Sequence, residues 1–202
     1  MAEVQIEKKR IEGEVIILTG EASVIGEKTS RIFADHNPSM IVIAYIQDKK
    51  GHAIATSIGS QICFYIHYHV SDELQVKSMV DFMVKRHGRF GIMFINAGIT
   101  NGCHQRILDI DLSDNERLMT INTRGMLDCV KHAGKAMIDS KVKGSRVCTS
   151  SIGATSTLDG YLYYTMSKHA VQGLMKSANQ EIDKYGMSVN CVSPSAVGTL
   201  MM

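Results

Sequence analysis

VIILTGEASVIG, residues 15–26, decides the fold of this chain. Val15 to Thr19 form an apolar, β-branched run of strand length, and Gly20 ends it. A helical pattern starts at Gly26, so the chain passes from strand to helix through a short turn that holds two glycines. The first N–H groups of such a helix lack partners and carry its positive dipole end, a geometry that receives a pyrophosphate. Gly20, Ser23, Ile25 and Gly26 are then the residues nearest the phosphates. A plain glycine-containing turn between strand and helix reads the same way, and this stretch alone does not separate the two.

Outward from it, short runs recur at MIVIAY (40–45), CFYIHYHV (63–70), IMFIN (92–96), SRVCTS (145–150) and MSVNCV (187–192). Helical patterns lie between them, near 26–36, 49–58, 72–87, 114–139 and 162–185. In the longest, Leu118, Ile121, Gly125, Cys129, His132 and Ala133 recur at helical spacing and mark a packing face. Nearly continuous apolar strands alternating with helices belong to a parallel sheet covered on both faces. The expected class is α/β, a Rossmann-type doubly wound sheet of about six strands, in one domain spanning residues 1–202.

Composition narrows the function. The chain has 202 residues and is 45% hydrophobic, enough for one core. Its net charge of +2 is spread out, which excludes a nucleic-acid footprint or a polybasic membrane patch. Five widely spaced cysteines without a CxxC fit neither a closed disulfide set nor zinc, so a reducing compartment is implied and no metal is expected. Apolar runs such as 40–46 fall far short of the roughly 18 residues of a membrane span, and the chain reads as cytoplasmic. Cys63, Tyr65, His67 and His69 alternate along one strand face, where strand packing is expected because no carboxylate completes a metal set. Cys103 and His104 read as a surface loop.

Tyr164 and Lys168 stand four apart on a helical pattern and share a face. Tyr45 and Lys49 have the same spacing, so context must separate the pairs. Ser151 lies thirteen residues before Tyr164 at a strand end, whereas Ile32 holds that place before Tyr45. A phenol titrates near 10 and is a poor base at neutral pH. An ammonium about 4 Å away is worth about 4 kcal/mol at an effective dielectric near 20, enough to bring a phenol into working range. Lys168 would thus make Tyr164 an acid and base, with Ser151 hydrogen-bonding the reacting oxygen. Asn122 either holds a water beside the lysine or bends its own helix through a local hydrogen bond; taken alone, it favours the second.

Together these residues resemble the short-chain dehydrogenase/reductase superfamily, from about residue 11 onward. TGEASVIG is similar to its TGxxxGxG turn, Ile95-Asn96-Ala97-Gly98 to its NNAG element, and Asn122, Ser151, Tyr164 and Lys168 fall in its catalytic order. The resemblance implies that Tyr45, Ile46, Val70, Asn96, Ala97, Gly98 and Lys168 line a nicotinamide dinucleotide. It also implies that Pro194, Val197 and Thr199, in NCVSPSAVGT, meet the nicotinamide end. ADHNPSMIVIAYIQDKKG, INTRGMLDCVKHA and TMSKHAVQGL resemble the plant NAD-dependent branch of secoisolariciresinol, isopiperitenol, borneol and momilactone A dehydrogenases. That implies a hydrophobic secondary alcohol or ketone as substrate, and a homo-oligomer, dimer or tetramer, pairing through the helices at 114–139 and 162–185.

The pattern is broken at several positions. Val24 replaces a glycine of the turn, Tyr45 the ribose-binding aspartate, His69 the aspartate near the adenine, Gly91 the aspartate before the fourth strand and Ser195 the glycine after Pro194. Family members also continue past the position of Met202 into a substrate-covering lid and a last strand, so the expected sheet lacks that strand and the expected site lacks that lid. Glu21 in the turn and the want of an arginine after Tyr45 favour NAD over NADP. Three readings follow: an NAD-dependent alcohol dehydrogenase, an impaired or inactive homologue kept as an oligomer partner, and an NADPH-dependent carbonyl reductase.

Overall fold

The computed structural model describes residues 11–20, 24–100, 105–108 and 110–195. Six strands, β1 (Val15–Thr19), β2 (Met40–Tyr45), β3 (Cys63–His67), β4 (Ile92–Ile95), β5 (Ser145–Thr149) and β6 (Ser188–Val192), form one sheet in the order β3-β2-β1-β4-β5-β6. Every pairing is parallel, with Ile17 opposite Val42 on one side and Met93 on the other. All five residues of β1 are buried, as a central strand covered on both faces requires. The order reverses between β1 and β4, which opens a crevice at the carboxyl ends of those two strands.

Helices α1 (Val24–Ala34) and α2 (Asp48–Ile58) cover one face, where Ile16, Leu18, Ile41 and Ile43 form a core with Ile54 and Ala55. On the other face lie α3 (Glu73–His87), α5 (Gly125–Asp139) and α6 (Leu162–Ile182), over a larger core built on Ile17, Val42, Met93 and Cys148. Asp72 fixes the start of α3, its carboxylate accepting from the N–H groups of Leu74 and Gln75. Gly88 ends that helix in the left-handed region, at φ 74°.

Two elements differ from the sequence reading. The third strand stops at His67 instead of reaching Val70, because Tyr68 turns inward and places its hydroxyl 3.0 Å from the Cys129 sulfur. His69 therefore leaves the face it was expected to share with Cys63, Tyr65 and His67, and its Nδ1 meets the Ser71 hydroxyl at 2.6 Å. The long helix expected over 114–139 is three pieces: α4 (Leu112–Met119), one π-helical turn (Thr120–Arg124), and α5. That wide turn sets Asn122, which is fully buried, facing the loop after β4.

Arg146 on β5 is also fully buried, under the groove between α5 and α6. A Cβ at Gly134 of α5 would lie 2.6 Å from its Nη1, so the missing side chain there makes room for the guanidinium.

Candidate active site

Three strand ends are tied together at the crevice. The Thr19 hydroxyl at the end of β1 accepts from the N–H groups of Asn96 (3.1 Å) and Ala97 (3.3 Å), just past β4. The Asn96 amide donates to the Gly20 carbonyl at 3.0 Å and accepts from the Thr149 hydroxyl of β5 at 3.0 Å. Gly20 has φ 78°, and a Cβ on it would meet the Ala97 backbone at 2.7 Å. Conformation and space both demand glycine there.

Asn122 binds the next stretch of backbone. Its side-chain oxygen accepts from the Ile99 N–H and its amide donates to the Ile99 carbonyl, both at 2.8 Å, and also to the Ser167 hydroxyl at 3.1 Å. The helix-bending local bond favoured from sequence is therefore replaced by a long-range clamp between the β4 loop and α6. Thr19, Thr149 and Ser167 were missed from sequence, since a strand-end threonine or a helical serine carries no motif of its own.

On α6, Lys168 is 3% exposed; its ammonium donates to the Thr149 carbonyl at 2.8 Å and lies 5.5 Å from the centre of the half-buried Tyr164 ring. A Cβ at Gly98 would stand 3.6 Å from that ammonium and 3.3 Å from the Asn122 oxygen, so glycine keeps the space between them open. Ser151 follows β5 and caps a single helical turn, Ile152–Ala154, accepting from the Gly153 N–H at 3.1 Å while keeping its own proton to donate. That turn packs against α6, and the neighbouring Ser150 hydroxyl donates to the Lys168 carbonyl at 3.3 Å. The Ile152 N–H donates to the Pro194 carbonyl at 2.9 Å, which brings the loop after β6 beside Ser151.

The remaining expected positions divide. Ile25 and Gly26 sit in the first turn of α1, with Gly26 buried and Val24 47% exposed. Tyr45 ends β2, Ile46 is exposed beyond it, and Lys49 lies on α2, so the decoy pair shares no helix face. Val70 is buried, and its side chain fills the space over Gly125. Glu21, Ser23, Cys103, His104, Val197 and Thr199 lie outside the described residues.

Burial lowers the Lys168 ammonium from 10.5 to about 8. The same burial pushes the Cys148 thiol beside it up to about 12, which removes it as a nucleophile at neutral pH. The lysine shift has a consequence for stability. Between pH 8 and 10.5 the unfolded chain holds a proton on Lys168 that the folded chain has released, so stability rises with pH across that window. Below pH 8 both states are protonated and burying the ammonium costs about 3 kcal/mol. Lys168→Met should therefore be more stable than the parent at pH 7, and its advantage should shrink by pH 10. Urea titrations of both proteins at the two pH values measure this; a pH-independent difference would contradict it.

Comparison with known proteins agrees with this geometry. Residues 20–202 match the family model described as enoyl-(acyl carrier protein) reductase. The chain is 43% identical over 199 residues to (+)-cis,trans-nepetalactol synthase of Nepeta racemosa, spanning 96% of this chain and 72% of that protein. It is 40% identical over 191 residues to the mitochondrial (−)-isopiperitenol/(−)-carveol dehydrogenase of Mentha piperita, spanning 95% and 72%. Among solved structures, levodione reductase superposes with a TM-score of 0.88 at 25% identity, over 95% of this chain and 75% of that one. A short-chain dehydrogenase/reductase from Mycobacterium marinum gives the same TM-score at 26% identity, over 95% and 76%. With its parallel sheet, its crevice and these relatives, the chain belongs to the short-chain dehydrogenase/reductase family, a family of oxidoreductases.

Proposed function

We propose that the chain is a single dinucleotide-binding domain that moves a hydride between a hydrophobic secondary alcohol, terpenoid- or lignan-like, and NAD. The observation that carries this reading is the convergence of Lys168, Asn122 and Gly98 at the ends of β4 and β5, with Tyr164 on the same helix face as Lys168. The residues fit a dinucleotide: the sheet order reverses there, and Gly98 keeps a Cβ away from the Asn122 oxygen and the Lys168 ammonium. Gly20, Gly26, Asn96, Ala97 and Pro194 would line its path, and Lys168 retains donors for a ribose hydroxyl. Bound there, the nicotinamide accepts or supplies the hydride. Tyr164 as a phenolate, its charge offset by the Lys168 ammonium, takes the alcohol proton and becomes the phenol, and the Ser151 hydroxyl donates to the substrate oxygen as its charge changes. Asn122 positions α6 against the β4 loop.

The substrate class is supported by relatives named for isopiperitenol, carveol and nepetalactol. Cys129, Cys148 and Cys191 are free thiols, which fits a reducing compartment such as the cytosol, and no helix among the described residues is long and apolar enough to cross a membrane. Leu127, exposed on α5, fits a homo-oligomer pairing through α5 and α6.

A second reading, an impaired homologue, is favoured by Val24 at the first position of α1, where its β-branched side chain stands half-exposed at the phosphate turn. Thermal-shift titration separates the two. NAD at about 100 times its dissociation constant should stabilise the chain by about 2.7 kcal/mol. A panel of terpenoid alcohols should then yield nicotinamide reduction. An absent shift that Val24→Gly restores would favour the impaired homologue, and stronger stabilisation by NADP would favour a carbonyl reductase.

A further inference from the structure

Tyr45 holds the end of β2, where dinucleotide folds ordinarily place the acid that meets the ribose hydroxyls. We propose that Asp48, three residues further on, supplies that acid and selects an unphosphorylated ribose over one bearing a 2′-phosphate. The inference rests on the NAD reading above and concerns the opposite end of the crevice from Lys168.

Asp48 opens α2, yet its carboxylate is drawn back over the strand ends. The Tyr65 hydroxyl lies 2.7 Å from the Tyr45 carbonyl oxygen and 2.6 Å from Asp48 Oδ1, so one phenol bridges the last residue of β2 to the carboxylate. His67, paired with Tyr45 across the sheet, holds the same oxygen through Nδ1 at 2.7 Å. These contacts bring a carboxylate to the strand face on which the sequence had suggested none. The bridge depends on Gly51, because a Cβ there would run into the Tyr65 ring. His52, the next residue on α2, packs against the same ring, with centroids 4.6 Å apart. Tyr65 is thus held against α2, and its hydroxyl holds Asp48.

The chemistry suits a ribose. The hydrogen bonds from Tyr65 and His67 hold the Asp48 carboxyl below the usual carboxylate range, so it is ionised at neutral pH. Its side chain is 62% exposed, and both contacts fall on Oδ1, which leaves Oδ2 to accept from a diol. A phosphate in the same place meets a fixed negative charge. Lys49 and Lys50 follow on α2 at about 100° and 200° round the helix from Asp48, so neither stands on the Asp48 edge.

Calorimetric titration of the full chain with NAD and with NADP, for the parent, Asp48→Asn and Asp81→Asn, which removes an exposed carboxylate of α3, tests the assignment. Asparagine keeps an oxygen for Tyr65, and an unchanged melting temperature verifies the fold. The parent should prefer NAD; Asp48→Asn should narrow that preference by about tenfold, and Asp81→Asn should leave it within about twofold. NAD binding with a preference that Asp48→Asn does not move, or that Asp81→Asn moves equally, overturns the role of Asp48 alone. A parent that prefers NADP also overturns it. If the parent binds neither nucleotide, the NAD reading falls and takes this one with it.

Discussion

Turnover by Tyr164→Phe is expected to fall by about 10²- to 10⁴-fold, the range spanned by a positioned general acid or base, while NAD binding and the melting temperature stay unchanged. The ring is half-buried on α6 and would remain, with its contact to the Lys168 ammonium, so only the hydroxyl is lost. In energy that is about 3–5 kcal/mol of barrier, larger than a packing disturbance at a half-buried site would produce. Progress curves at saturating alcohol and NAD give the rate, and thermal-shift titration gives the binding. A variant that keeps more than about a tenth of the parental rate would place the proton path elsewhere.

Arg146→Met is expected to raise stability by about 2 kcal/mol. The guanidinium is fully buried, with one long bond to the Ser188 carbonyl at 3.4 Å, and its Nε and Nη1 have no partner among the described residues. Burial lowers it from 12.5 to about 10, a measure of how poorly this environment holds the charge. Methionine is unbranched and flexible, and can occupy the space that Gly134 leaves without an unpaired donor. Denaturant unfolding across a range of protein concentrations checks it. A loss of stability that grows with concentration would instead show the guanidinium paired by a second copy.

The strands and both helical layers were legible because burial on two faces writes itself into sequence as apolar runs between amphipathic patterns. The end of β3 was not, since Tyr68 and Val70 are buried yet reach the core from a turn, and apolar alternation reports burial without reporting ladder bonds. The π-helical turn at Thr120–Arg124 left no periodic trace either. Of the candidate site, Gly20, Ser151, Tyr164 and Lys168 could be singled out through spacing and order, and Asn96 and Gly98 only through the family resemblance. The cost of burying Lys168 was not, because the argument from spacing supplied a charge and ignored its desolvation. Asp48 was in plain view three residues after Tyr45, but only folding reveals that Tyr65 and His67 turn it back over the strand ends.

The all-parallel ladder also governs how this chain must be made. Ile16 at the centre of the sheet pairs on one side with Ile92, 76 residues later, and no local hairpin can stand in for that partner. At about 5–20 residues per second of synthesis, one edge of β1, five buried residues long, waits several seconds for its neighbour to leave the ribosome. During that interval VIILT is a sticky nascent segment, so yield on expression should respond more to holdase chaperones and slower translation than to changes at the crevice.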